Sequence, residues 1–371
     1  MIVAWTSICF WALSAGSLPD EELRTHLAAI CQVDQQGKGH AQAAEAWSQL
    51  AQANAGQLNL MLGALDTANP LAANWIRTVV DAVAERELAR TGRLPLADLE
   101  GLVLDRSHGP KTRELAFVWL VQADHAARER LLPGMLNDPC LTLRRMAVER
   151  LMNQGRDLVE QGDKPQAVKR YEQALAAARD VDQVRALGER LNKLGVEVDL
   201  PRKLGYVVGW QVIGPFDNVG DKGYEVAYGP EKEVNQQAVY PGKQGPVRWK
   251  PGEGTGPFAT VDLNKLLVME KGVVGYALNE FHSSREQEVE FRVSSANAVK
   301  LWLNGRLIDE HHVYHSGVQP DQYVSRGTLQ AGRNTILVKL CQNEQTQDWA
   351  KVWQFQLRVC DLQGAAVNSE R

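Results

Sequence analysis

The chain is poor in cysteine, with five in 371 residues, which excludes a small scaffold held together by disulfides. Beyond Leu13 it has no apolar run long enough to be read as a membrane helix. It has no surplus of charge: 41 Lys and Arg face 45 Asp and Glu, a formal net charge of −4 spread evenly along the chain. That balance excludes the basic stripe of a nucleic-acid binder, so no nucleic-acid partner is expected. The usual catalytic signatures are missing as well. There is no GxSxG elbow, no phosphate-cradling GxxxxGK[ST], no GxGxxG after a strand, no HExxH and no CxxC. What remains is 44% hydrophobic and 23% charged, the proportions of a globular chain of about two or three domains.

Residues Ile2 to Leu13 are apolar and lead to Ser14-Ala15-Gly16, then Pro19 and the acidic Asp20-Glu21-Glu22. Such a run is too short to span a bilayer and has the small-residue exit of a secretory signal. We therefore expect a signal peptide over 1–16, a mature chain starting near Gly16 or Ser17, and an extracellular or periplasmic product without a membrane span. Cys31, Cys140, Cys341 and Cys360 would remain. Cys341 and Cys360 lie on neighbouring strand-like segments, and they either pair or stay as buried thiols.

Up to about Lys203 the composition is Ala, Leu, Gln, Arg and Glu, broken at intervals by Gly, Asn-Pro and Asp-Pro. This predicts an all-α region over 20–200 made of helix, short break, helix. Trp75, Val79 and Val83 fall on one face of a helix that Asn69-Pro70 starts. The stretches around Arg113 and Arg144-Arg145 look alike, and Leu143, Ala147 and Leu151 share a face. Past Gly205 the text changes to Val, Gly, Tyr, Trp and Asn with period-two alternation. Val289, Phe291 and Val293 alternate with Glu290 and Arg292; Trp353, Phe355, Leu357 and Val359 alternate with Gln354, Gln356 and Arg358. Such alternation predicts an all-β sandwich of sheets that each bury one face, over 205–364, with a flexible tail over 365–371. Asn304-Gly305 between two strand segments is a two-residue hairpin signal.

LNDPCLTLRRMAVERL resembles a HEAT-type repeat, and GRDLVEQGDKPQAVKRYEQALAAARD resembles one tetratricopeptide unit, with Gly155, Leu158, Ala167, Tyr171 and Ala174 at its spacing but Arg179 where its last Pro would stand. Repeats of those kinds imply a solenoid that offers a concave surface to a protein or peptide. VKLWLNGRLIDEH, followed by a turn with Leu329, Gly332 and Asn334, resembles the galactose-binding-like jelly roll, the sugar-binding sandwich that accompanies family 2 glycoside hydrolases. That resemblance implies a multidomain protein, a helical-repeat solenoid followed by a jelly-roll sandwich, whose sandwich loops contact a glycan.

Candidate ligand residues are those with aromatic or imidazole rings near the long connection after Arg306: Trp302, Tyr314, His315, Tyr323 and Trp349. Aromatic faces cover the apolar side of a pyranose ring. His311, His312 and His315 with Asp309 and Glu310 have the residue types of a metal site, but His312 opposes the other two on an extended strand. In GPFDNVGD the oxygen side chains Asp217, Asn218 and Asp221 suit Ca²⁺, as jelly rolls of this kind carry; the alternative is a set of Asx-turns. No other cofactor is expected. The expected function is a non-enzymatic exported scaffold for protein and carbohydrate; the alternatives are a component of polysaccharide degradation or a structural protein of the cell envelope.

Overall fold

The structure is a computed structural model that describes residues 18–370; the predicted signal segment lies outside the described residues. Helices dominate up to Leu204 and antiparallel strands follow, so the chain is helical and then β. Among the described residues no helix is long and apolar enough to cross a membrane. Two compact units divide the chain at Arg150 and Leu151. The boundary therefore lies some fifty residues before the change of composition at 200–205, and hydrogen bonds such as Arg358 Nη1 to Leu204 O and Arg179 to Gln363 O tie the last helices to the strands.

The first unit holds α1 (Asp20–Cys31), α2 (His40–Leu50), α3 (Leu58–Gly63), α4 (Pro70–Thr91), α5 (Leu96–Leu104), α6 (Pro110–Ala123), α7 (Ala126–Leu131) and the start of α8 (Leu141–Glu160). α4 begins where it does because Asn69 Oδ1 accepts from the Leu71 and Ala72 N–H groups, 2.9 Å each, while Pro70 has no N–H to leave unpaired. Its Val79 and Val83 are buried with Ile30, Leu120 and Leu143 in one core. The similar basic positions of the sequence have a structural purpose. Arg113 is buried and donates to both oxygens of Asp138, at 2.7 and 2.8 Å, and through Nε to Val103 O. Asp138 also accepts from the Cys140 N–H, and its carbonyl accepts from Arg144, so the Asp138-Pro139 break is fastened from both sides.

The second unit takes the rest of α8, then α9 (Lys164–Ala177), α10 (Val181–Lys193) and α11 (Leu200–Leu204). α8 and α9 approach closely at Gly155, where an added Cβ would stand 2.4 Å from the Tyr171 ring. Ala167, Tyr171 and Ala174 are buried along that seam.

Twelve strands follow: β1 (Gly209–Asp217), β2 (Val239–Pro241), β3 (Pro246–Arg248), β4 (Lys250–Glu253), β5 (Val261–Asp262), β6 (Val273–Ser283), β7 (Gln287–Ser295), β8 (Ala298–Leu303), β9 (Arg306–His311), β10 (Tyr323–Leu329), β11 (Gly332–Gln342) and β12 (Gln354–Cys360). They form a six-stranded sheet in the order β4-β1-β6-β11-β8-β9, a four-stranded sheet β10-β7-β12-β5, and the small pair β2-β3. The alternating residues meet between the two large sheets: Val289, Phe291, Val293, Phe355, Leu357 and Val359 from one, Val212, Phe281, Leu301, Ile336 and Val338 from the other. Trp353 joins them, fully buried, with its Nε1 donating to Leu340 O.

Two asparagines close the hairpins. Asn304 and Gly305 take the positive φ of 51° and 79° that the turn needs. Asn334 is fully buried, donates to Gln330 O and accepts from Gln330 N, both at 2.8 Å, and also accepts from Asn304 Nδ2 at 2.9 Å. Cys341 and Cys360 are free thiols in different sheets, so the pairing alternative fails. Burial pushes the Cys341 thiol up to about 12. The segment 365–370, expected as a flexible tail, is tied along the sandwich instead: Val367 N–H donates to Val359 O and Glu370 N–H to His282 O.

Candidate functional site

Three loops meet at the end of the sandwich where β1 finishes: 217–224, the connection from β9 to β10, and 343–353. Buried amides hold them in place. Asn297 Nδ2 donates to Gln342 Oε1 (2.7 Å) and Val352 O (3.0 Å), which fixes the two ends of the β11–β12 loop. Gly220 N–H donates to Glu344 Oε2 at 2.9 Å, which ties the first loop to the third. Asn218, fully buried, donates to Gln342 O and to the Tyr314 hydroxyl.

Asp221 is the hub. Its backbone has φ 61°, which turns its carboxylate toward the β9–β10 loop. There Oδ2 lies 2.7 Å from His312 Nε2, and Oδ1 accepts from the Tyr314 hydroxyl at 2.5 Å. His312 stacks on Tyr224 with ring centres 4.0 Å apart, and the Lys300 ammonium lies over the other partner's ring, 4.2 Å from the Tyr224 centre. Burial and the hydrogen bond to Asp221 both push the Tyr314 phenol far above its ordinary range, in keeping with a hydroxyl that donates to Asp221 while accepting from Asn218. His315 continues the row: its Nε2 lies 2.9 Å from Asn343 Oδ1, and its ring meets Trp349 edge-on, 4.9 Å between centres. Trp349 itself is 61% exposed on a short turn that Lys351 braces through Asp348.

The structure thus brings together three of the five candidate ligand residues. Tyr314, His315 and Trp349 are neighbours, and the first two are held by hydrogen bonds. Trp302 is half-buried against the apolar layer on the outer face of the six-stranded sheet, the same layer on which Tyr314 leans. Tyr323 leaves the group: it stacks on His311 at 3.7 Å and packs against the core between the sheets. The connection between β9 and β10, residues 312–322, is anchored, since His315 N–H donates to Ala296 O and Ser316 Oγ to Ser295 O.

The Ca²⁺ reading of Asp217, Asn218 and Asp221 does not fit. Asp221 is committed to His312 and Tyr314, Asp217 Oδ1 accepts from Val219 N–H, and Asn218 Oδ1 faces Gly223 so closely that an added Cβ there would meet it at 2.7 Å. Asp217 closes a turn, whereas Asn218 and Asp221 reach across to the neighbouring loops, Asn218 through Nδ2 to Gln342 O and Tyr314 and Asp221 to His312 and Tyr314. His311, His312 and His315 likewise go to three different partners, and no group of three or more His, Cys, Asp or Glu side chains among the described residues is placed to hold a metal. Sequence reasoning missed Tyr224, Asn297 and Gln342. A tyrosine and two amides in strand-like text carry no signal, because their importance lies in which loop they reach.

No family model matches this sequence, and no curated protein matches it. Among solved structures it is similar to a β-glucosidase from Kluyveromyces marxianus in complex with glucose, at 11% identity and TM-score 0.28, over 48% of this chain and 21% of that one. It is also similar to an FMN-binding beta-glucuronidase from Facaelibacterium prausnitzii L2-6, at 10% identity and TM-score 0.22, over 43% and 23% of the two chains. The likeness spans about a fifth of those chains, and at that level it carries neither fold nor function over to this one.

Proposed function

We propose that this protein is an exported, non-enzymatic binding scaffold, whose helical unit contacts a protein or peptide and whose sandwich loops contact a glycan. The observation that carries the glycan reading is the exposed Trp349 ring, fixed beside His315 and a row of oriented polar groups. An exposed indole on an anchored loop offers an apolar face for a sugar ring, and the His315–Asn343 pair supplies polar groups at its side. Such a shallow site gives weak affinity, since little of the ligand is enclosed.

Trp349→Ala tests this better than a change at Tyr314, whose hydroxyl and ring both hold the loops together. On a glycan array the wild type is expected to bind a defined subset of sugars and Trp349→Ala none of them. Its stability should move by no more than about 0.5 kcal/mol, as for other exposed positions. A wild type that binds no glycan, or a folded variant that keeps every ligand, defeats the reading. Export is tested by sequencing the N-terminus of the native protein, expected near Gly16 or Ser17; Met1 on the abundant form defeats it.

A further inference from the structure

One ring carries the reading of the loop end, and a neighbouring loop adds a second apolar side chain. Among the described residues the two most exposed large apolar side chains are Met269, at 79%, and Trp349, at 61%. Both stand at the end of the sandwich where β1 finishes, because Val273, which begins β6, lies opposite Asp217. The loop 267–272 is fastened to the loop 343–353 twice: Lys271 Nζ donates to Ala350 O at 2.5 Å, and Gly272 N–H to Asn343 O at 3.1 Å. Two residues and one lysine stem separate Met269 from Trp349, so the two are no more than about 20 Å apart. Val219 and Val352 are also exposed on this set of loops. Single exposed apolar side chains need no explanation, whereas several on interlocked loops mark a contact surface.

The charges of this surface balance and are held within the protein. Asp348 accepts from Lys351 at 2.5 Å, Glu270 lies 3.1 Å from Lys243 Nζ and accepts from Gln244 Nε2 at 2.6 Å, and Glu344 accepts from Gly220 N–H. With Lys271, these are all the charged side chains of the two loops. An acidic or a basic ligand therefore finds no open partner there. Gln345 and Gln347, both exposed in the loop that carries Trp349, offer amides, which pair with hydroxyls as donor and as acceptor.

We propose that the ligand is an extended neutral chain of β-1,4-linked sugars that crosses both loops, with one ring on Trp349 and a ring further along the chain on Met269. This rests on the glycan reading of Trp349 and adds the length, charge and shape of the ligand. A straight chain presents apolar ring faces at intervals and reaches both side chains, whereas a curved α-1,4-linked chain turns away from the second. A bilayer meets the same apolar tips but strips water from Asp348 and Lys351, which are exposed beside the indole; a hydroxyl-rich chain leaves them wet.

Titration calorimetry of the full chain with cellohexaose, chitohexaose, their disaccharides, maltohexaose and hexagalacturonate tests it. At least one of the two β-1,4-linked hexaoses is expected to bind, about tenfold more tightly than its own disaccharide, because the second contact forms within one complex. Its affinity should not change with salt, and maltohexaose and hexagalacturonate should bind at least about tenfold more weakly. Met269→Ala, at an exposed position, should keep the wild-type melting temperature and lower the hexaose affinity about fivefold, toward that of the disaccharide. Trp349→Ala should remove both. Equal affinity of hexaose and disaccharide, equal or tighter binding of maltohexaose or hexagalacturonate, or full hexaose affinity in Met269→Ala overturns this inference and leaves the Trp349 site standing. Silence of both β-1,4-linked hexaoses while the glycan array shows other sugars does the same, and an empty array removes both readings. Sedimentation with phosphatidylcholine vesicles that is lost in Met269→Ala, without hexaose binding, assigns the surface to lipid and overturns the inference.

Discussion

Asp321 answers two guanidinium groups with one carboxylate. Arg358 Nε donates to it at 2.6 Å, Arg358 Nη2 makes a second bond, and Arg292 Nη1 donates at 2.7 Å. Arg358 is 1% exposed, so Asp321→Asn strands a buried charge, and breaking such a pair from one side costs about 3–5 kcal/mol. The denaturant midpoint should fall accordingly; an unchanged midpoint would mean that water already serves Arg358. The same site sets a pH dependence. Burial alone would raise the Asp321 carboxyl, but the Arg358 hydrogen bonds and the charges of Arg358 and Arg292 outweigh it and hold it below the ordinary carboxylate range. A carboxyl lowered by folding contributes stability above its unfolded pKa, about 3.9, and that contribution is lost as pH falls through the folded value. The wild type should therefore lose stability on acidification below about pH 4, and Asp321→Asn should lose less over the same window. Residue type alone pointed to Tyr314, His315 and Trp349, because aromatic and imidazole rings in loops are recognisable in text, and it pointed equally to Trp302 and Tyr323, which lie elsewhere. The pairing of Asp221 with His312 was not readable, since the two stand ninety-one positions apart.

The seam between α8 and α9 depends on one missing side chain. Gly155→Ala would put a methyl into the Tyr171 ring, and overpacking of that kind costs about 1–3 kcal/mol. In Tyr171→Leu the same change should cost clearly less, and a double-mutant cycle would show the difference as coupling; additive effects would mean that the helices can simply move apart. The sheets show where pattern reading works and where it stops. In β7 and β12 the alternating apolar residues do face the core, because period two maps directly onto the two faces of a strand. β11 reads the same way through Ile336, Val338 and Leu340, which makes Lys339 an expected solvent-facing residue. It is instead fully buried. Its ammonium donates to Tyr224 O, Val226 O and Glu231 Oε1, at 2.8 to 3.0 Å, beside a hydroxyl bond from Tyr276 to Glu231. Alternation says which residues leave the core face and says nothing of a segment that later covers the other face.

For the whole molecule the composition break and the structural division differ, and the difference is measurable. The break near Pro201 marks a change of secondary structure, whereas the division near Arg150 separates the two compact units. Within the second unit the helices hold the sandwich by bonds that a cut at 205 would sever. Arg358 Nη1 donates to Leu204 O, Tyr206 N–H to Pro201 O, and Arg179 to Gln363. The first of these helps satisfy a buried guanidinium, so its loss leaves a donor unpaired at a cost of about 1–3 kcal/mol. A fragment of residues 151–371 should therefore unfold in one cooperative transition. A fragment of residues 205–371 should melt lower, and its amide protons in β12 and in 365–370 should exchange faster, because those strands lose the helix-side partners named above. Equal melting temperatures would restore the boundary at 205 and make α8 to α11 a passive neck. Independent melting of two parts within 151–371 would show that the helical hairpin and the sandwich are separate domains after all.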